Sequence, residues 1–324
     1  MKTTMNTRQS DNQTTGQSER PGAGTSLIVR LSGCLIVFLL AAFAVPARAG
    51  DDLGSRLQAV SVTIRSERGE GSGVCVNRGG ETFILTAGHV IADNRHVEHL
   101  LDSEKGATRT VPKFDPLLVT KELLEDGRSI GKLTIEAEVV AYSSSEHGQD
   151  LALLHLRKRG LVKESAVFAP AGDPPGIGTP LNHVGSLLGQ QGSNSFTTGV
   201  YSQIGRVLFG RVFDQTTCAA FPGSSGGGVF DAQGRYVGMI VRGAGETFNL
   251  IVPVRRIREW AGEQNLNFLF DESLGQTGPA TAGAPDLKKV KLELLEPVSE
   301  SSGGRDETAI RSFPTYLRTL EGAQ

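Results

Sequence analysis

From Leu57 onward the apolar positions fall in short runs rather than in long helical stripes. Ala59–Ile64 alternates, Gly73–Val76 follows, and Thr82–Thr86 is a continuous apolar run. Leu133–Tyr142 alternates again after an Asp126-Gly127 turn signal, and Leu151–Leu156, Pro180–Val184, Phe196–Ile204, Gly228–Phe230, Tyr236–Arg242 and Phe248–Val252 complete the series. Period-two alternation belongs to half-buried strands and unbroken apolar runs to buried ones. Many short strands punctuated by glycine predict an all-β sandwich or barrel. Helical patterning is confined to a short turn after His89 and a segment at Val254–Gln264. The charged stretch 93–128 reads as loops with a small helix around Lys121–Glu125.

Both ends break the pattern. Residues 1–26 are polar without periodicity; Arg30, an apolar run from Leu31 to Val45 and Ala47-Arg48-Ala49 then follow. A positive flank, a short apolar stretch and an A-x-A site are the grammar of a secretory leader cut after Ala49. The run is short for a membrane span, so a span is not expected after cleavage; an uncleaved anchor through residues 31–45 is the alternative. Leu31-Ser32-Gly33-Cys34 resembles a lipobox, but its cysteine precedes the apolar run instead of following it. Beyond Asn265, Gly, Ala, Thr and Pro dominate 271–286, while Leu287–Glu296 fits one strand or helix. The expected organisation is a leader at 1–49, a folded domain at 55–265 and a mostly disordered tail at 266–324. Shortening the chain after about Asn267 is expected to leave stability nearly unchanged.

Composition narrows the class. Lys+Arg 33 against Asp+Glu 35 gives a net charge of −2, without the basic excess that nucleic-acid binding requires. Glycine, 41 of 324 residues, has no G-X-Y period, so the excess belongs to turns and not to collagen. Export leaves Cys75 and Cys218, either bridged or two buried free thiols.

The sharpest chemical signal is Gly223-Ser224-Ser225-Gly226-Gly227. Glycines around a serine let the backbone turn so tightly that two N–H groups can face one developing oxyanion. The string also fits the nucleophile elbow of α/β-hydrolases, but that fold needs its histidine after the serine. All six histidines precede Ser225, the last being His183. Upstream, Thr86-Ala87-Gly88-His89 ends an apolar strand, and Asp150 opens the buried run Leu151-Ala152-Leu153-Leu154. A buried carboxylate beside an imidazole fixes its tautomer and stabilises the imidazolium.

The order His89…Asp150…Ser225 and the segments around it resemble the trypsin-like peptidase domain of the bacterial Deg/HtrA type, from about Leu57 to Trp260. The resemblance is carried by Gly71-Ser72-Gly73-Val74, Thr86-Ala87-Gly88-His89-Val90, Asp150 to Leu154, Thr198 to Arg206, Pro222 to Phe230 and Asn249 to Val254. It implies a chymotrypsin-like double antiparallel β-barrel closed by a short C-terminal helix. By the same resemblance His89 is the general base, Asp150 its orienter and Ser225 the nucleophile, with the amides of Gly223 and Ser225 as oxyanion hole. Ser224 stands where digestive members carry an aspartate, so activating cleavage is not expected. The residues after Trp260 are too few for the PDZ domain usual in that group.

Substrate-binding residues follow from the resemblance. Ala219, six before Ser225, is expected on the S1 floor, with Ile240, Val241 and Arg242 on its wall. Without an acid there, a small or medium apolar side chain suits the pocket better than Lys or Arg. Arg242 on that strand could favour an acidic group of the substrate, but an outward, solvated arginine is the expectation. Other readings stay bland: His96 and His99 share helical i, i+3 spacing but lack further metal ligands, His147 sits in a polar loop, His183 is a strand residue, and Trp260 packs the last helix onto the barrel. The expected function is an exported (periplasmic or secreted) serine endopeptidase without cofactor or metal, acting on unfolded or envelope proteins through an acyl-enzyme. Its partners are protein or peptide substrates. The alternative is a catalytically silent binding or chaperone-like protein of the same fold.

Overall fold

The computed structural model describes residues 53–274, except 68, 103–106, 126–127, 173, 175 and 244–246. All of them belong to the second of two units, Met1–Gly50 and Asp51–Gln324. The leader, the Cys34 motif, the Asp126-Gly127 turn and the tail beyond Leu274 lie outside the described residues.

A short helix α1 (Leu53–Ala59), with Leu57 buried, leads into β1 (Ser61–Arg65), β2 (Glu70–Arg78) and β3 (Glu81–Thr86). One helical turn, α2 (Gly88–Ile91), follows β3. Then come β4 (Arg95–Asp102), β5 (Ala107–Phe114), β6 (Leu117–Glu125), β7 (Arg128–Ser143) and β8 (Leu151–Leu156). The order β1-β2-β3-β8-β7-β6 closes into an antiparallel barrel, from which β4 and β5 project as a separate hairpin. Every residue of β3 is buried: Phe83–Leu85 carry its apolar core, and Glu81 is held by His155 at 3.0 Å and by Arg159.

The second half contains β9 (Val167–Phe168), β10 (Pro180–Leu187), β11 (Gly192–Leu208), β12 (Arg211–Thr216), β13 (Gly228–Asp231), β14 (Arg235–Gly243) and β15 (Asn249–Pro253). Its sheet runs β13-β10-β11-β12-β15-β14, and pairing of β13 with β14 closes the ring; β9 adds in parallel to β14. The fold is thus the expected double barrel. One core cluster links barrel one to the last helix, α3 (Val254–Glu263), where Trp260 is 2% exposed; a smaller one, with Leu181, Tyr201 and Ile251, fills barrel two. No helix among the described residues is long and apolar enough to cross a membrane.

Two expectations need correction. The 93–128 stretch forms three strands, and the helix expected at Lys121–Glu125 is the end of β6. Local Lys, Glu and Leu content favours helix, but β6 supplies the seam between β1 and β7 that closes the barrel, and tertiary pairing prevails. The pair His96 and His99 therefore sits on β4; at odd spacing on a strand the two side chains leave by opposite faces.

The packed chain also runs past residue 265. Leu266 and Leu269 are fully buried, Phe268 packs against Phe83 with ring centres 5.1 Å apart, and Phe270 lies 4.6 Å from Phe168 under the Arg258 guanidinium. Shortening the chain after Asn267 removes three of these groups and is expected to destabilise the domain. Leu269→Ala alone should cost about 2–5 kcal/mol, read as a lower urea midpoint.

Candidate active site

His89 and Asp150 come from barrel one. β3 ends at Thr86, whose hydroxyl donates to the Ser72 carbonyl at 2.7 Å, and the chain turns at once into α2. Gly88 permits that turn to lie against the β7–β8 connection: a Cβ there would stand 2.3 Å from the Ser143 carbonyl oxygen. Asp150 adopts a left-handed backbone, φ 57°, and its side chain is 2% exposed. Its Oδ1 accepts the His89 backbone N–H at 2.9 Å, and both carboxylate oxygens lie 3.0 Å from His89 Nδ1.

A carboxylate offers only acceptors, so this geometry places the imidazole proton on Nδ1 and leaves Nε2 as a lone-pair base. Burial alone would raise the Asp150 pKa. The His89 charge and its two hydrogen bonds, helped by the charge of Arg242, outweigh burial and hold the carboxyl below its usual range.

Two arginines of the second half grip the loop that carries Asp150. Arg211 donates to the carbonyls of Ser145 and Glu146 at 2.8 and 2.7 Å. Arg256 of α3 donates to Gln149 Oε1 at 3.1 Å, to the Gln149 carbonyl at 2.7 Å and to the Val212 carbonyl at 2.8 Å. It lies over Phe213, and burial lowers its pKa to about 10.

Ser225 comes from barrel two, in the loop between Cys218 and β13. Gly223 and Gly226 have φ of 96° and 83°, the left-handed region in which glycine is at home. Hydrogen bonds lock the loop on several sides. Pro222 O accepts from Leu188 N at 2.7 Å, Gly226 N donates to Ile240 O at 2.7 Å, and Ser72 N of barrel one donates to Ser225 O at 2.8 Å. The Ser72 hydroxyl donates to Gly223 O at 2.7 Å and accepts from Ser186 N at 2.7 Å. Ser224 is buried, its Oγ accepting from Phe221 N at 3.1 Å. The amides of Gly223 and Ser225 donate to no acceptor among the described residues.

A cleft of about 540 Å³ brings His89 and Ser225 together. Ile240, Val241 and Arg242 line it. Ala219 does not: its carbonyl turns away to accept the Thr197 hydroxyl at 3.0 Å, and Ala220, Phe221 and Pro222 form that wall instead. Gly223 is likewise not a lining residue. Arg242, expected to point outward, borders the cleft.

Sequence reasoning missed Ser145 and Glu146 and quoted Asn249 only as part of a motif. Asn249 is a buried polar residue at the head of an apolar strand, its amide donating to Cys218 O at 2.7 Å. That misplaced polarity was the available signal. Ser72 was quoted only as part of a motif, and nothing in its pattern announced a bridge between the barrels. Cys75 and Cys218 are both free and buried, with burial pushing their thiols up to about 12 and about 11.

His183 packs under the serine loop. It is fully buried, donates from Nδ1 to the Gly228 carbonyl at 2.9 Å, and leaves so little room that a Cβ on Gly227 would meet its ring at 2.7 Å. Burial lowers its pKa from 6.5 to about 4. The unfolded chain therefore binds a proton that the folded chain refuses, and stability falls as pH drops through that window. The loss should reach about 3 kcal/mol and level off below it. Urea midpoints measured from pH 7 to pH 4 should show this slope in wild type and a flatter one in His183→Gln.

The trypsin-like peptidase domain model matches residues 71–239. Two serine proteases named Do-like HtrA, from Lactococcus lactis subsp. lactis and subsp. cremoris, are 30% and 31% identical over 180 residues, covering 52% of this chain. The chain spans only 36% of the length of each. Among solved structures, an HtrA-type protease with a tripeptide is 21% identical, with a TM-score of 0.49 over 66% of this chain and 62% of that one. A serine endoprotease from Yersinia pestis is 20% identical, with a TM-score of 0.47 over 68% of this chain and 66% of that one. With more than half of its length matched by one family model, and both halves folded as closed barrels, this chain belongs to the trypsin-like peptidase domain family.

Proposed function

We propose that this protein is an exported serine endopeptidase in which Ser225 attacks a peptide carbonyl, His89 takes its proton and Asp150 orients the imidazole. His89 then returns the proton to the leaving amine, and water releases the acyl group by the reverse sequence. The amides of Gly223 and Ser225, which have no acceptor among the described residues, serve the tetrahedral oxyanion. The observation that carries the reading is the Asp150–His89 pair, held by three contacts at 2.9–3.0 Å, at the edge of a cleft that Ser225 also lines. The apolar wall of Ala220, Ile240 and Val241 supports preference for a small or medium apolar side chain before the scissile bond. Unfolded or envelope proteins are the proposed substrates. The proposed catalytic domain ends near Leu274, and residues 1–49 are its proposed export leader.

One observation favours the silent alternative: no hydrogen bond joins His89 to Ser225 in this structure. Such bonds are often long in empty sites and tighten when substrate arrives, which leaves activity the better reading. A fluorophosphonate probe separates the two. Mass spectrometry should locate the adduct on Ser225; folded protein that stays unlabelled would favour a binding function.

A further inference from the structure

Arg242 lines the cleft beside Ile240 and Val241, with its Cζ 5.4 Å from the centre of the Phe209 ring. Phe209 occupies the tip of the β11–β12 hairpin. It has φ 53° and Gly210 has φ 71°, so both central residues of the turn are left-handed. Such turns suit two-residue hairpins and favour Asn-Gly; a bulky aromatic side chain there is an outlier. Phe209 is 73% exposed, so burial does not explain its presence. Its contact is the Arg242 guanidinium, which the ring face attracts and steadies.

Among the described residues Arg242 has no carboxylate within ion-pair distance and no hydrogen-bond acceptor, although its charge reaches Asp150 at longer range. The one acid on the cleft wall, Glu146, instead lies 3.8 Å from His147. Arg242 stands at the wall of the cleft, and a guanidinium is a planar fork of N–H donors whose geometry matches a carboxylate. Beside it, β14 keeps a usable edge. Its pairing with β13 stops at Met239, and the serine loop bonds only to Ile240, so among the described residues Val241–Gly243 carry no strand on the side away from β15. An extended peptide can add there.

We infer that Arg242, held by Phe209, forms a subsite for an acidic side chain of the substrate close to the scissile bond, next to an apolar residue seated against Ile240 and Val241. This rests on the peptidase reading above and names its substrate class: polypeptides with an Asp or Glu adjoining a small or medium apolar residue.

The test is digestion of a position-scanning peptide library by purified full-length protein, with fluorophosphonate labelling of the wild type alongside. Wild type should prefer Asp or Glu over Lys at one position by roughly tenfold in kcat/KM, less at high salt. Arg242→Glu should reverse that preference towards Lys and Arg, a gain that an unfolded variant cannot produce, and Phe209→Ala should weaken it. Labelled wild type without a charge preference, or a preference unchanged in Arg242→Glu, would overturn the subsite and leave the peptidase reading standing. Wild type that is neither labelled nor cleaves would overturn both.

Discussion

Ser225→Ala and His89→Ala are each expected to lower turnover on the order of 10⁶-fold, and the double variant should be little worse than either. Nucleophile and base act as one unit on the proposed reading: without the imidazole the hydroxyl is not activated, and without the hydroxyl the imidazole has nothing to deprotonate. Asp150→Asn should retain the fold yet lose on the order of 10⁴ in turnover. The local geometry supplies the reason. Oδ1 of residue 150 receives the His89 backbone N–H at 2.9 Å, so an asparagine keeps its oxygen there and turns its NH₂ towards Nδ1. That nitrogen must then accept, the proton moves to Nε2, and the base is lost. Steady-state kinetics on a peptide substrate, with circular dichroism as the check on folding, distinguish this pattern from general destabilisation. Equal small losses in all three variants would contradict it.

Gly223→Ala carries the second large effect. With φ at 96°, alanine is strained there, and its Cβ would stand 2.1 Å from the Ser186 carbonyl oxygen and 2.7 Å from Gly189 N. Both neighbours are backbone and cannot swing aside. The loop must shift, and with it the Gly223 amide proposed for the oxyanion. Loss of one such donor typically lowers kcat by about 10²–10³-fold. KM should change much less, because the apolar wall of Ala220, Ile240 and Val241 is untouched. An unchanged kcat would mean that the Gly223 amide does not serve the transition state.

Strands with unbroken or alternating apolar residues were legible from the chain alone: Thr82–Thr86, Leu151–Leu156 and Tyr236–Arg242 each fall within an observed strand. β6 was not, because Lys121, Glu122 and Glu125 suggest a solvated helix. What the sequence could not display is that Lys121 is buried on that strand, its Nζ bound to the Ala59 carbonyl and 3.3 Å from Glu164. β5 and β12 were hidden likewise by charged and polar residues. The three proposed catalytic residues were readable because their motifs are local. The parts that fix them across the barrels were not, since Ser72, Arg211 and Arg256 act on loops more than sixty residues away. Ala219 is not among the residues lining the cleft, because counting back from Ser225 gives chain distance and not the direction in which a carbonyl turns.

The most direct measurement is cleavage of unfolded casein by purified wild type and purified Ser225→Ala, prepared identically and compared by gel. Wild type should degrade casein, and the alanine variant should leave it intact over the same interval while remaining folded. Cleavage that persists undiminished in Ser225→Ala would contradict the claim that this fold is a serine peptidase working through Ser225.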